Sequence, residues 1–328
     1  MKTRKYKVPA KQKYRIKNWK EYNAALVNRG SLCIWISEDM LDAWRAEKET
    51  GKNGSPRLYS DIAITSCLTL KKLFHLPLRA VEGFVASLFR RTSASLPTPN
   101  YSTLSRRAGT LSVVLAKTVK PKGKSGGGKE KTHLIIDSTG VKVYGEGEWK
   151  VRQHGASKRR KWLKIHVGID EQGEIRVAEI TENNVHDGDV AKKLLDQEEA
   201  DLDAFAADGA YDHGKIYDAL TERGISTILI PPRKDAKIWW HGNHKATPHP
   251  RDENLRAIRK TTRKRWKASS GYHIRSLVET LMFRYKTIFT DKISARTWNR
   301  QVTEIMLMLS ALNKMWWLGK PNSYPVTS

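Results

Sequence analysis

Residues 134–140 read LIIDSTG, a run of large apolar residues that leads directly into the carboxylate of Asp137. A second run, FAAD at residues 205–208, leads in the same way into Asp208. Asp208 lies 71 residues after Asp137, and Glu279, within a helical pattern, lies 71 residues after Asp208. A charge at the tip of a buried strand needs a partner. Three carboxylates suit Mg²⁺, which keeps coordination positions open for water and phosphate.

The composition points to a polyanionic partner. The 328 residues include 60 Lys and Arg against 34 Asp and Glu, which gives a formal net charge of +26. This surplus favours nucleic acid over an anionic membrane surface. No apolar run reaches the roughly 18 residues of a spanning helix, and the first residues show no apolar signal segment. Cys33 and Cys67 stand alone, which fits a reducing cytosol and gives no zinc or disulfide framework. We therefore expect a cytoplasmic protein associated with DNA.

The N-terminal third is basic and then helical. The first 20 residues hold nine Lys or Arg and no acid, so they are either a solvated tail or a basic arm along phosphates. Residues 58–119 show helical spacing of apolar residues. A short third helix is expected over residues 101–107 (YSTLSRR), after a turn with two prolines. Two helices, a turn and a short polar helix resemble a helix-turn-helix; the alternative is a helical bundle with a polar face. Its candidate DNA-reading residues are Tyr101, Ser102, Thr103, Arg106 and Arg107.

A Gly/Lys-rich stretch at residues 121–130 separates this region from a mixed part. The pattern predicts strands over residues 132–136, 162–169, 175–180, 205–207 and 225–230, and helices over residues 187–195, 216–223, 272–289 and 295–316. Three strands joined by hairpin-type connections, followed by strand–helix alternation, imply an α/β fold with a mixed sheet and flanking helices. We expect a basic arm and N-terminal segment (1–57), a helical DNA-binding domain (58–120), the linker (121–130), a catalytic domain (131–315) with a basic insertion at about 231–267, and a tail (316–328).

The helix that carries Glu279 has an unusual polar stripe. With about 100° per residue and Tyr272 at 0°, Arg275 falls at about 300°, Glu279 at about 340° and Lys286 at about 320°. Phe283 is expected on another face, with the other apolar residues. The alternative is a surface ion-pair face, because Arg275 and Glu279 are four residues apart.

These motifs together resemble those of DDE transposases of bacterial insertion sequences, specifically the insertion-sequence-five group. The resemblance rests on IDSTG at 136–140, GEGEWKVR at 145–152, ADGAYD at 207–212, NVHD at 184–187 and the pattern Tyr272-x2-Arg275-x3-Glu279-x6-Lys286. It runs from about residue 134 to 309 and is looser in the N-terminal part.

The resemblance implies a ribonuclease-H-like core in which Asp137, Asp208 and Glu279 are the catalytic and metal-binding residues. Two Mg²⁺ ions, for which Mn²⁺ can substitute, would activate the attacking oxygen and stabilise the leaving one. Arg275 and Lys286 would hold DNA phosphates, and Tyr272 would either pack or contact the DNA backbone. The implied activity is binding of terminal inverted repeats, cleavage at the element ends and strand transfer into double-stranded target DNA. Two ends must be held together, so a homo-oligomer is expected.

Other residues are weaker candidates. His154, His166 and His186 match no zinc spacing and favour structural or phosphate-contacting roles over metal ligation. Asp187 and Asp212 are expected at helix starts. A basic turn, Lys158, Arg159, Arg160 and Lys161, is either solvated or in contact with phosphate. Trp239 and Trp240 either stack on an unpaired base beside the cleavage point or form a packed pair.

Two other functions remain open from the residues alone. One is a ribonuclease-H-like nuclease that cuts without joining, and the other is an inactive helix-turn-helix regulator. The three retained carboxylates argue against the regulator.

Overall fold

The computed structural model describes residues 13–47, 57–92, 95–118, 132–143, 162–239 and 248–326. Strand β1 (Lys13–Ile16) opens this part of the chain, followed by six helices. They are α1 (Trp19–Asn28), α2 (Leu32–Trp35), α3 (Glu38–Asp42), α4 (Asp61–Leu73), α5 (Leu78–Arg91) and α6 (Tyr101–Arg107). Residues 1–12 of the basic arm and the linker at 121–130 lie outside the described residues.

The start of α6 shows why the sequence breaks into helices where it does. The side-chain carbonyl of Asn100 accepts a hydrogen bond from the amide of Ser102 at 2.9 Å, which satisfies one of the free amides of the first turn. The helix then covers residues 101–107, as the sequence predicted. Residues 111–118, which we expected to be helical, are not in a helix. Their carbonyls instead accept hydrogen bonds from distant side chains, such as Asn313 at Ala116 (2.9 Å).

A mixed sheet forms the centre of the second part. Its described strands are β2 (His133–Val143), β3 (Trp162–Ile169), β4 (Ile175–Glu182), β5 (Ala204–Ala206), β6 (Thr227–Leu229) and the two-residue β7 (Lys292–Ile293). The order is β4-β3-β2-β5-β6, and β7 pairs with the far end of β2. The contacts β2–β3 and β3–β4 are antiparallel, whereas β2–β5 and β5–β6 are parallel. Strand β2 is therefore central, as the ribonuclease-H-like reading requires.

Helices cover both faces of this sheet. They are α7 (Asp187–Gln197), α8 (Gly214–Glu222), α9 (Pro250–Lys260), α10 (Arg263–Ser269), α11 (Ser276–Phe289) and α12 (Trp298–Leu318). One apolar core joins the N-terminal helices, one sheet face, α11 and α12, and the other lies between the opposite face, α7 and α8. The predicted α/β class with a mixed, helix-flanked sheet behind an N-terminal helical region is confirmed. The last strand, β8 (Ser323–Val326), pairs with β1.

Two local expectations were wrong. Asp137 is not at a strand tip, because β2 continues to Val143 and pairs with β3 through Lys142. The helix predicted from Tyr272 begins with a 3-10 turn over Tyr272–Arg275 and becomes α-helical only at Ser276. No helix in the described ranges is long and apolar enough to cross a membrane.

Candidate active site

The sheet brings the two aspartates side by side. Strands β2 and β5 are parallel, with Ile135 opposite Ala206. Asp137 and Asp208 each follow this pair by two residues, and they are close enough for the charge of Asp208 to act on Asp137. Asp208 directly follows the short strand, and its carboxylate accepts a hydrogen bond from the amide of Ala210 at 2.9 Å.

Asp137 is a poorly solvated carboxylate, with 18% of its side chain exposed. Burial raises the pKa of Asp137 above its ordinary value, and the nearby Asp208 raises it further. The amide of Ser138, which donates at 2.9 Å, and the guanidinium of Arg275 lower that pKa in part. The site therefore has an unmet demand for positive charge.

Arg275 links the third carboxylate to the first. Its Nη1 donates to Oδ2 of Asp137 at 2.8 Å, and its Nη2 donates to Oε1 of Glu279. Glu279 lies in the first turn of α11 and is the more exposed member, with 55% of its side chain accessible. Burial acts to lower the pKa of Arg275, but the neighbouring Tyr272 and the carboxylates raise it overall. One guanidinium therefore ties the helix to the central strand.

The carboxylates have the chemistry that a divalent ion requires, but not the spacing. Across the described ranges, no group of three His, Cys, Asp or Glu side chains is assembled closely enough to hold a metal. The guanidinium of Arg275 lies between Asp137 and Glu279, where it supplies the positive charge. The donors themselves fit Mg²⁺, because they are hard carboxylate oxygens and the carboxylate of Asp137 is depleted of water. A divalent ion would have to share or take over the oxygens that Arg275 now contacts.

The exposed face of α11 corrects one prediction. Phe283 lies four residues after Glu279 and three before Lys286, which places all three on one helix face. Its side chain is 71% exposed, and it shares the face of Glu279 and Lys286, although we expected it on another face. Lys286 is exposed on the same face, and Glu279 and Lys286 therefore flank an exposed aromatic ring.

Tyr272 takes the packing role of the two that we considered. It is only 7% exposed, and its ring centroid lies 5.7 Å from that of Trp266. The ammonium of Lys267 sits 4.9 Å from the ring centroid. Because the 3-10 turn departs from 100° per residue, Tyr272 turns inward while Arg275 and Glu279 face the carboxylate site.

A buried polar cluster lies behind the carboxylates, and it contains His166, for which a structural role was one of our expectations. His166, opposite Ser138 in the sheet and fully buried, is joined to Thr181 through Nε2 at 2.9 Å. Its Nδ1 lies 3.7 Å from Asp187, which in turn accepts a hydrogen bond from Lys164 at 3.2 Å. Burial lowers the pKa of His166 to about 4. A histidine in the apolar alternation of β3 was the available signal, and its role is structural.

Tyr211 also belongs to this surrounding. It is 1% exposed, in the 3-10 turn Gly209–Tyr211 that follows Asp208. Burial raises the pKa of its hydroxyl, with further contributions from the charges of Asp187, Asp137 and Asp208. The neutral phenol of Tyr211 thus lies near Asp137 and Asp208.

Asp212 does not cap a helix, contrary to our expectation. It is 6% exposed and accepts a hydrogen bond from Nε of Arg251 at 2.7 Å. It also accepts from the amide of Arg233 at 3.1 Å, while α8 starts after His213 without a side-chain cap. Asp187 does begin α7, as expected. The buried pair of Asp212 and Arg251 fastens the basic insertion to the chain just after Asp208.

In the candidate DNA-reading helix α6, some side chains contact other parts of the protein and others are exposed to solvent. Arg107 forms an ion pair with Asp61 and donates to the carbonyl of Tyr59 at 3.0 Å, so its guanidinium has a structural role rather than the expected DNA contact. The guanidinium of Arg79 lies 4.6 Å from the ring centroid of Tyr101. Ser102 and Arg106 are exposed, and Thr103 is half-buried.

Trp239 is partly packed. Its ring lies 3.9 Å from the guanidinium carbon of Arg251 and meets Tyr217 edge-on, yet 41% of the side chain is exposed. His186 is exposed at the start of α7. Several candidates lie outside the described residues: Trp240, His154, Lys158, Arg159, Arg160, Lys161 and the GEGEWKVR motif.

Comparison with protein families gives two matches. Two family models, each described as a transposase DDE domain, match the chain. One matches residues 27–146, which include the N-terminal helices, and the other matches residues 128–314, which carry Asp137, Asp208 and Glu279. The second match alone covers more than half of the 328 residues. The chain therefore belongs to the DDE transposases, a family of metal-dependent enzymes that cleave and transfer DNA.

Proposed function

We propose that this transposase binds the terminal inverted repeats of an insertion sequence, cleaves DNA at the element ends with Mg²⁺, and transfers the freed strand into target DNA. The observation that carries the proposal is the link between Asp137 and Glu279 through Arg275, with Asp208 close by. Asp137 lies in β2, Asp208 follows the neighbouring strand β5, and Arg275 bonds Asp137 to Glu279. If Arg275 and Glu279 formed only a surface ion pair on one helix, Arg275 would have no reason to contact Asp137 on the central strand. The observed contact with Asp137 therefore favours a shared site.

Asp137, Asp208 and Glu279 would hold the metal ions. Bound there, Mg²⁺ would supply an activated oxygen nucleophile and charge stabilisation for phosphoryl transfer. Ionised carboxylates are hydrogen-bond acceptors only, so these side chains would orient donors and cations. Burial raises the pKa of Asp137, and this makes its ionised form the one that gains most from a cation.

Arg275 is the residue whose partner changes in this scheme. In the free protein its guanidinium neutralises two carboxylates. With Mg²⁺ on those oxygens, the guanidinium of Arg275 would be available to a DNA phosphate, whose geometry it matches. Lys286, exposed on the same helix face as Glu279, adds a second cation along the DNA backbone.

The family group and the DNA-reading element belong to the same proposal. We place the chain in the insertion-sequence-five group because every spacing of the Tyr272, Arg275, Glu279 and Lys286 pattern is present. The helices α4 to α6 serve end recognition, with the exposed Ser102 and Arg106 as reading residues. The basic net charge directs the protein to DNA in the cytoplasm, and two ends held together require a homo-oligomer.

Incubation of the full chain with the DNA that flanks its own gene, in Mg²⁺, tests this function. We expect nicks at the repeat boundary and, with target DNA present, joined products. Cleavage without any joined product would favour the nuclease alternative. Binding without cleavage in Mg²⁺ or Mn²⁺ would contradict the proposed activity and favour the regulator.

A further inference from the structure

A cavity lined by basic residues lies apart from Asp137, Asp208 and Glu279, none of which lines it. This cavity of about 980 Å³ opens where the turn between α4 and α5 meets α6, β7 and the start of α12. Its floor is apolar, with Leu68, Phe289 and Leu307 among the lining residues, and its polar lining is dominated by cations. This size is that of a site for a small ligand or a segment of a larger one.

The charge of the lining is one-sided. Among its described residues are five cations, Lys71, Lys72, Lys292, Arg296 and Arg300, and one carboxylate, Glu304. Glu304 is already satisfied, because it pairs with Lys72 and accepts hydrogen bonds from the amides of Ser294 (2.7 Å) and Ala295 (3.0 Å). The remaining cations have no acid to balance them within the lining that the structure describes.

The donors in the cavity outnumber the acceptors. The ammonium groups of Lys71 and Lys72 both approach the hydroxyl of Ser294, at 3.1 and 3.2 Å. Burial lowers the pKa of Lys71, and the neighbouring Lys72 lowers it further. In the described part of the chain, Nε of Arg300 is buried and finds no acceptor. Such a group costs stability unless an anion satisfies it.

The backbone at this cavity is also strained. His75 (φ 52°) and Thr290 (φ 70°) are the two non-glycine residues with positive φ in the described ranges, and both line the cavity. A β-branched residue such as Thr290 rarely adopts this conformation. Backbone strain of this kind clusters at ligand sites.

We propose that this cavity binds the sugar-phosphate backbone of DNA, as a second contact separate from the carboxylate site. The inference rests on the proposed function for the identity of the polyanion. Helix α11 connects the two sites, since Phe289 lies ten residues, about 15 Å, beyond Glu279. The C-terminal end of α11 therefore borders the cavity, and a DNA strand along this helix would run from one site toward the other.

The test compares two double variants of the full chain. Lys292→Gln/Arg296→Gln removes two exposed cavity cations, and Lys193→Gln/Lys215→Gln removes the same charge from α7 and α8 on the opposite face. Affinity for a random-sequence duplex is measured in EDTA over a range of salt concentrations. Each lost phosphate contact lowers the salt slope by about 0.9. We expect the cavity variant to lose about 1.8 from the slope and the control variant to keep the wild-type slope.

Equal slopes for the cavity variant and the control would overturn the inference. A second arm measures melting with inorganic pyrophosphate. Stabilisation of the wild type alone, with equal DNA slopes, would assign the cavity to a free phosphate compound and would also overturn it. Failure of the wild type to bind any duplex would instead refute the proposed function. Melting of all variants without ligand checks that they fold.

Discussion

At the scale of single residues, one guanidinium serves two carboxylates of the candidate site. Arg275 satisfies Asp137 and Glu279 in the free protein, and a divalent ion would replace it. Burial raises the pKa of Asp137 despite this guanidinium, so the ionised carboxylate is undersatisfied. The spacing of Arg275 and Glu279 already suggested their ion pair, whereas the bond from Arg275 to Asp137 joins residues 138 positions apart and could not be read from the pattern.

Replacing Asp137 by Asn should separate metal binding from folding. Because the surroundings of Asp137 favour its neutral form, we expect the Asp137→Asn protein without metal to be at least as stable as the wild type. Mg²⁺ at about ten times its Kd should stabilise the wild type by about 1.4 kcal/mol and the variant much less. Thermal melting with and without Mg²⁺ measures both. Equal stabilisation of the two proteins by Mg²⁺ would remove Asp137 from the metal site.

Phe283 should matter for DNA and not for folding. Its ring is 71% exposed between Glu279 and Lys286, so Phe283→Ala removes little buried surface, and we expect a change in unfolding free energy within about 0.5 kcal/mol. Loss of an aromatic contact should weaken end binding by about 1–3 kcal/mol if the ring stacks on a base. Gel-shift titration of end DNA checks this, with Trp317→Ala, also exposed, as the control. Unchanged affinity would assign the ring to another surface role.

At the scale of elements, local sequence patterns predicted the bounds of several helices and strands, whereas contacts between distant residues were not predicted. The bounds of β3 and α6 agree with the sequence analysis because alternation and a capping residue are local signals. The end of β2 was missed because Ser138, Thr139 and Gly140 interrupt the apolar run while strand pairing with β3 continues. The contact of Asp212 with Arg251 joins residues 39 positions apart, and no local pattern reveals such a pair.

That ion pair should be a major stabilising contact of the insertion. Both side chains are at most 5% exposed, so Arg251→Met leaves a buried carboxylate without its charged partner. We expect a loss of about 3–5 kcal/mol in unfolding free energy, measured by urea denaturation at pH 7. The surface pair of Arg256 and Glu253 is the control, and Arg256→Met should cost at most about 1 kcal/mol. Similar midpoints for the two variants would show that the buried pair is not a major contributor.

His166 should give the sheet a defined acid sensitivity. Its pKa is lowered to about 4 by burial, with Asp187 and Lys164 as its charged neighbours. Between pH 6.5 and about 4 the unfolded chain binds a proton that the folded chain does not. Stability should therefore fall as the pH drops, by about 1.4 kcal/mol per pH unit from this residue. The difference between wild-type and His166→Gln stability over this range isolates the contribution. Parallel curves would contradict it.

At the scale of the whole molecule, one sheet organises chemistry and binding. Strand β2 carries Asp137 at its middle and pairs with β7, which borders the basic cavity, at its end. The sequence predicted a basic protein with a mixed α/β fold, because net charge and the alternation of apolar residues can be read directly from the order of residues. The cavity between the N-terminal helices and the sheet is lined by residues from separate segments of the chain. Its position depends on tertiary packing, and no local sequence pattern predicts it.

The most direct test of the central claim is cleavage of end DNA by matched aspartate variants. The claim is that Asp137, Asp208 and Glu279 act together on the phosphodiester. Asp196→Asn changes a carboxylate with 60% side-chain exposure on α7 and serves as the control. In Mg²⁺ we predict that Asp137→Asn still binds the terminal repeat but produces no nick, whereas Asp196→Asn cleaves like the wild type. A nick at the repeat boundary by the Asp137→Asn protein would contradict the account.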